Sequence, residues 1–247
     1  MRKIICFKKS NNTFRGLNPF YKYTYDDVSI PGAVIRTIYC PLFKSSKAEN
    51  VYLKRIAPLL SDGVLLESDI VFESLQIAKI KNSLEDTLNK NIVKLILSVY
   101  KNKPVNIVIK DEKYLPYISA IINRIEPTII SECGNTEYIS NYLLDEYGIS
   151  ANIKTRLSPN AICGRLSVFM PGTNPPSACG KNAVLNLSGK ECLGSMTENN
   201  IIYRLPPGYE VLKTSLDNNV RKIFSVLEYL SVKTENLSMV IKPDGFW

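Results

Sequence analysis

The sequence predicts an α/β protein whose second lobe is a parallel, doubly wound sheet, and three observations carry this expectation. Between residues 104 and 157 a strand–helix–strand–helix–strand pattern runs with short links, which demands parallel strands and right-handed crossovers. The triplets Tyr117-Ile118-Ser119 and Tyr138-Ile139-Ser140 recur 21 residues apart, at the same place on successive helices. From Val64 to Lys103 there is neither Gly nor Pro, so a long helix can precede the pattern. Together these describe a Rossmann-like half-sheet joined to an N-terminal α+β lobe.

The elements follow in order. Residues 2–8 center on the apolar run Ile4-Ile5-Cys6-Phe7 and read as a first strand. Residues 11–32 are polar, aromatic and turn-rich, with Asn18-Pro19 and Pro31-Gly32 as breakers, and read as a long loop. Ala33 to Tyr39 is a second strand, which Cys40-Pro41 should end. Val51–Leu66 is ambiguous, split by Pro58 and Asp62-Gly63. Ile77, Ile80, Leu84, Leu88, Ile92, Leu95, Ile96 and Val99 recur at three- and four-residue steps, predicting a helix near 70–100, interrupted around Asn89-Lys90-Asn91.

In the repeated region, Val105–Ile109 is a strand and Tyr114–Ile125 a helix that Pro127 breaks. Thr128–Ser131 is a strand, Thr136–Tyr147 a helix with Gly148 as its cap, and Ala151–Thr155 a strand. Arg165–Met170, Ala183–Leu187 and Ile201–Leu205 are further strands, and Leu216–Leu230 a final helix on Val220, Ile223, Phe224 and Leu227. The domain reading is an N-terminal lobe over 1–100, a Rossmann-like lobe over 104–190, and a strand and helix in 195–247 bracing them. The end, Lys242 to Trp247, is read as an anchor or a frayed tail.

Composition narrows the chemistry. The chain has 247 residues, 45% hydrophobic and 22% charged, and no His. Ser–His–Asp and Cys–His catalysis are therefore excluded, and so is imidazole ligation of a metal. Six cysteines at 6, 40, 133, 163, 179 and 192 form no Cys-x-x-Cys pair, so no metal site is expected. Three of them precede Gly134, Gly164 and Gly180, which favors turns near strand ends. No apolar window reaches the length of a signal core or a membrane span, and the expectation is a cytoplasmic protein without a membrane partner.

Net charge is +8 and lies wholly in the first quarter, where residues 1–60 hold 11 Lys/Arg against 3 Asp/Glu. These cations interleave with Phe7, Phe14, Phe20, Tyr21, Tyr23, Tyr25 and other aromatics, a composition suited to phosphate backbones and stacked bases. They are scattered, however, and nucleic-acid motifs are missing.

Open α/β sheets bind ligands beyond the carboxyl ends of their strands. After Ile109 a dinucleotide fold needs Gly-x-Gly-x-x-Gly, whereas this chain has Lys110-Asp111-Glu112-Lys113-Tyr114-Leu115. Asp111 there is read as a helix N-cap. Glu132, ending the second strand of the repeat, holds the place of a ribose-binding acid, but without the glycines no cofactor is predicted. The second candidate is the loop Pro171–Asn182. Its Pro175-to-Asn182 stretch departs from a phosphate-binding P-loop at both ends and leads into a strand, which rejects nucleoside-triphosphatase activity.

What remains is a rigid loop whose amides at Gly172 and Gly180, with Lys181 and with Arg165, Lys190 or Arg204, bind a carboxylate or phosphate. Ser177 or Cys179 are candidate nucleophiles, with Lys181 as base or as the charge that lowers a thiol pKa. The acidic pairs Asp26-Asp27, Asp69-Glu73, Asp111-Glu112 and Asp145-Glu146 are unspecific.

The leading expectation is thus a Rossmann-like binding or regulatory protein, with a small anionic ligand or a protein as partner. A cleft between lobes, formed by residues 11–32, the strand ends near Lys110 and Glu132, and residues 171–182, is its expected site. The alternatives are an enzyme acting on a small anionic metabolite there, and a nucleic-acid or acidic-protein binder using the basic quarter. The sequence assigns no oligomeric state.

Overall fold

The computed structural model describes residues 1–14, 22–66, 70, 72, 75–81, 84–158, 162–180, 182–234 and 237–242. Arg15, Asn18-Pro19, Asp69, Glu73, Lys181 and Trp247 lie outside the described residues. In chain order the first elements are β1 (Arg2–Phe14), β2 (Thr24–Ile30), β3 (Ala33–Phe43), α1 (Ser46–Leu60) and β4 (Gly63–Leu65). Next come α2 (Leu84–Val99), β5 (Val105–Ile109), α3 (Leu115–Ile125), β6 (Thr128–Ser131), α4 (Thr136–Tyr147) and β7 (Asn152–Lys154). The chain ends with β8 (Leu166–Phe169), β9 (Ala183–Asn186), β10 (Ile201–Tyr203), α5 (Leu212–Ser215), α6 (Val220–Tyr229) and β11 (Met239–Ile241). Contacts divide it into two compact units, Met1–Leu84 with Leu205–Thr234, and Glu85–Arg204 with Glu235–Trp247. Among the described residues no helix is long and apolar enough to cross a membrane.

The first unit carries a mixed sheet in the order β2-β3-β1-β4, parallel except for the β2–β3 hairpin. One face of α1 buries Ala48, Tyr52, Ile56 and Leu60, spaced at every fourth residue, against Ile5, Phe7, Ile38 and Cys40. Ser45 caps the helix by accepting from the Ala48 N–H at 3.2 Å. Pro58 does not split it, because the buried face runs on to Leu60. Pro41 does not end β3 either. The β1–β3 register shifts between Lys9 and Thr13, so a residue without an N–H sits at an irregularity in the ladder.

The 11–32 loop is corrected: residues 11–14 extend β1, and Thr24–Ile30 is the edge strand β2. Two acidic residues are tolerated there because β3 supplies each with a hydrogen-bond donor. Asp27 lies directly opposite Arg36 and accepts from its guanidinium through both carboxylate oxygens, while Tyr39 donates to Asp26 at 2.7 Å. The Tyr25 ring covers the same guanidinium, 4.6 Å away.

The Arg36 hydrogen bond holds the Asp27 carboxyl below its ordinary value of 3.8, against a smaller opposing effect of burial. The ionized form is therefore the one the fold prefers. Its stabilization is complete above the ordinary carboxylate range and is lost as pH falls through the lowered value. Asp27 is 37% exposed, so solvent screening limits the expected cost of Asp27→Asn at neutral pH to about 1 kcal/mol. Urea midpoints should differ by a constant amount above about pH 5 and converge only as pH falls below 3.8 through the lowered value. A gap that persists in acid would assign it to something other than this ion pair.

The second unit holds the predicted sheet: five parallel strands in the order β7-β6-β5-β8-β9, flanked by helices. β5, β6, β8 and β9 are buried along their whole length, as strands covered on both faces must be. The repeated triplets occupy equivalent places, with Ile118 and Ile139 at 0% exposure and Tyr117 and Tyr138 exposed. Gly148 ends α4 at φ 65°, its N–H donating to Leu144 O at 2.9 Å while Ile149 N–H reaches Leu143 O. The three Cys–Gly steps are turns, with φ of 82° at Gly134, 70° at Gly164 and 56° at Gly180.

The helix predicted near 70–100 is shorter. It begins at Leu84 and runs unbroken through 89–91, where the Asn91 amide donates to Thr87 O at 2.9 Å. Lys79 instead bridges to Leu65, and the Ile80 N–H donates to Leu65 O.

Candidate functional site

β8 lies on the far side of β5 from β6, so the chain winds one way through β6 and β7 and the other way through β8 and β9. The loops leaving β5 and β8 diverge at this switch point, and a cleft opens there at the carboxyl ends of the strands. Its volume is about 650 Å³, and every lining residue belongs to the second unit.

The floor follows from the register. Ile130, Val108 and Phe169 are paired across β6, β5 and β8, so the three side chains form one row on one face. Leu157 packs against that row, and Ile162 and Pro175-Pro176 extend the apolar wall. Lys110 follows β5 directly and Arg156 follows β7 by two residues, so both strand ends deliver a cation. Both are exposed, and among the described residues neither forms an ion pair.

Glu132 follows β6 and also lines the cleft, but its carboxylate is engaged. It accepts from the Asn174 N–H and from the Asn174 side-chain amide, each at 3.0 Å. The Asn174 side-chain oxygen in turn accepts from Lys190. The acid therefore anchors the loop after β8.

The first turn of the repeat carries no phosphate cradle. Asp111 accepts from the Lys113 N–H at 2.9 Å and caps a 3-10 turn, Glu112–Tyr114, through which the chain enters α3. Pro116 then removes one of the helix's free N–H donors. Tyr114 and Lys113 both donate to Glu85, at 2.6 and 3.0 Å. The Tyr114 bond holds the Glu85 carboxyl below the usual range, while burial and Glu85 push the Tyr114 phenol up. This network pins the start of α2 to the turn and leaves no glycine through which amides could approach a pyrophosphate.

Of the regions expected to form the site, the strand ends at Lys110 and Glu132 line the cleft, and so do Asn174, Pro175 and Pro176 of the Pro171–Asn182 loop. Gly172 lies in the same loop as Asn174, its N–H donating to Ser188 O at 3.3 Å. Arg165 precedes β8 at the amino end of the sheet, where it faces the Asn106 side-chain oxygen at 3.5 Å, so it does not join the others. Ser177 and Gly180 are exposed, and Lys181 lies outside the described residues. Cys179 is buried and its thiol donates to Leu193 O at 3.2 Å. Burial pushes its pKa up, the reverse of an activated thiolate.

Sequence reasoning missed Arg156 and Phe169, and it held Asn174 only as one residue of the Pro171–Asn182 loop. Applying the strand-end rule to the third strand of the repeat would have found Arg156. No local signal marks Asn174 as the partner of Glu132. No family model, curated protein or solved structure matches the chain.

Proposed function

We propose that this is a cytoplasmic Rossmann-like binding protein whose second unit takes a small anionic molecule, phosphorylated or carboxylated and with an apolar body. The observation that carries the reading is the pair Lys110 and Arg156, without ion-pair partners among the described residues, at the rim of the apolar floor Ile130–Val108–Phe169. A volume of about 650 Å³ suits a metabolite-sized ligand. Arg156 offers a planar fork to a carboxylate or phosphate, and Lys110 a point charge. Binding is favored over covalent catalysis because the one buried candidate nucleophile, Cys179, has its thiol shifted away from the reactive form.

The basic first unit supports the nucleic-acid alternative less well, because several of its cations have internal partners. Lys8 pairs with Asp217 at 2.8 Å, Arg36 pairs with Asp27, and Arg2 and Lys3 donate to the Tyr229 and Ser61 carbonyls.

The test is a thermal-shift screen against phosphorylated and carboxylated metabolites, dinucleotides and short oligonucleotides at two salt concentrations. A ligand at 100 times its Kd should add about 2.7 kcal/mol. Lys110→Ala and Arg156→Ala should each weaken binding by about 1.5–3 kcal/mol, the size of a charged hydrogen bond. A salt-sensitive shift from oligonucleotides alone, or silence across the panel, would overturn the reading in favor of a nucleic-acid or a protein partner.

A further inference from the structure

The strand register sets charges, as well as apolar side chains, in a row. Lys154 of β7, Ile130 of β6 and Val108 of β5 are successive register partners. Two residues beyond each of them stand Arg156, Glu132 and Lys110, and all three line the cleft. Across three neighboring strand ends the order is therefore cation, acid, cation. Val108 and Lys110 both line the cleft, as do Ile130 and Glu132, which is the alternation an extended strand requires. The charged row thus borders the apolar row on the same face, with about 5 Å from strand to strand.

Glu132 keeps unused capacity in this row. A carboxylate has about four lone-pair sites. The Asn174 N–H occupies one on Oε1 and the Asn174 side-chain amide one on Oε2, so each oxygen can accept once more. Among the described residues neither flanking cation forms an ion pair with it. A ligand head that is only anionic would set its own charge against this carboxylate. A head that carries an ammonium beside its carboxylate meets the row with the opposite sign at every position.

We propose, resting on the binding reading above, that the carboxylated ligand of this cleft is an α-amino acid with an apolar side chain. Its ammonium donates to the open lone pairs of Glu132. Its carboxylate accepts from Arg156 on one side and from Lys110 on the other, and its side chain lies over Ile130, Val108 and Phe169. Both cations sit on long, flexible stems, so each reaches the center of the row from a strand about 5 Å away. Glu132 then serves twice, anchoring the loop through Asn174 and recognizing the amine.

The test titrates the full chain by calorimetry with L-phenylalanine and L-leucine. Beside them run hydrocinnamate and isocaproate, which lack only the amine, and phenethylamine and isoamylamine, which lack only the carboxylate. The amino acids should bind about tenfold or more tighter than either set, the loss expected for one charged hydrogen bond. In Glu132→Gln the amino acids should weaken while hydrocinnamate and isocaproate gain, because the opposing charge is gone. Asn174→Ala loosens the loop and keeps that charge, so it should weaken amino acid and plain acid alike. A uniform loss in Glu132→Gln would make Glu132 an anchor only and overturn the proposal. The wild-type comparison needs no variant, so a poorly folded Glu132→Gln leaves the test intact. If the plain acids bind the wild type as tightly as the amino acids, the proposal falls and the binding reading stands. The same holds if these probes are silent while another carboxylate or a phosphate binds. Amines that bind as tightly as the amino acids, or silence from every anion, would overturn both.

Discussion

Tyr52→Ala is expected to destabilize the protein by about 3–5 kcal/mol, a large fraction of the ~5–15 kcal/mol that holds a typical domain folded. Tyr52 is fully buried at the center of the first unit's core, in the middle of α1. Its ring lies 5.5 Å from that of Phe14 and 5.2 Å from that of Phe43, so truncation strips packing from both. Its hydroxyl donates to Tyr39 O at 3.2 Å and touches the Cys40 thiol, whose pKa burial pushes up to about 12.

Tyr52→Phe separates the two contributions. It keeps the ring and removes only the hydrogen bond, at an expected cost of about 1 kcal/mol. Urea denaturation of the two variants checks this. Near-equal losses would mean that the hydroxyl, and not the ring, holds α1 on the sheet.

The parts of the fold that were legible from sequence share a physical character. β5, β6 and α4 fall where periodicity and turn chemistry place them, because each is bounded by its own Pro, Gly or polar cap and buries a face through its own spacing. Gly148 is the clearest case, since its role is decided within one turn of chain. β2 was illegible because its two aspartates look like loop residues until Arg36 and Tyr39 of the neighboring strand are known. The helix expected near 70–100 began too early for a similar reason. Ile77 and Ile80 keep a helical spacing with Leu84, yet the chain at Lys79–Ile80 bonds to Leu65, a partner that no window of local sequence contains.

The site divides in the same way. That it lies at the strand ends follows from parallel topology alone, which placed Glu132 in the cleft. What Glu132 does there depends on Asn174, 42 residues away, which turns an apparent ribose acid into a loop anchor. Arg165 shows the converse. It is close in sequence to the candidate loop, but it stands before β8 and not after it, and a parallel strand carries its two ends to opposite edges of the sheet.

Phe169→Ala is the change expected to act on both stability and binding. Phe169 ends β8 at 1% exposure, completes the row with Val108 and Ile130, and packs against Cys179, Val184 and Cys192 on the same side. Removing the ring should cost about 3–5 kcal/mol, and more toward the upper value if the tightly paired strands beside it cannot close the void. The same ring is cleft floor, so any ligand with an apolar body should also lose affinity. Lys110→Glu makes the opposite cut. It lies on an exposed side chain without an ion pair among the described residues, so the urea midpoint should move by no more than about 0.5 kcal/mol while the ligand-induced shift disappears. Measuring both quantities for both variants separates a folding role from a recognition role. A Phe169→Ala protein that is destabilized yet binds as tightly as its parent would place the ligand elsewhere than over the Ile130–Val108–Phe169 row, whatever Lys110→Glu does.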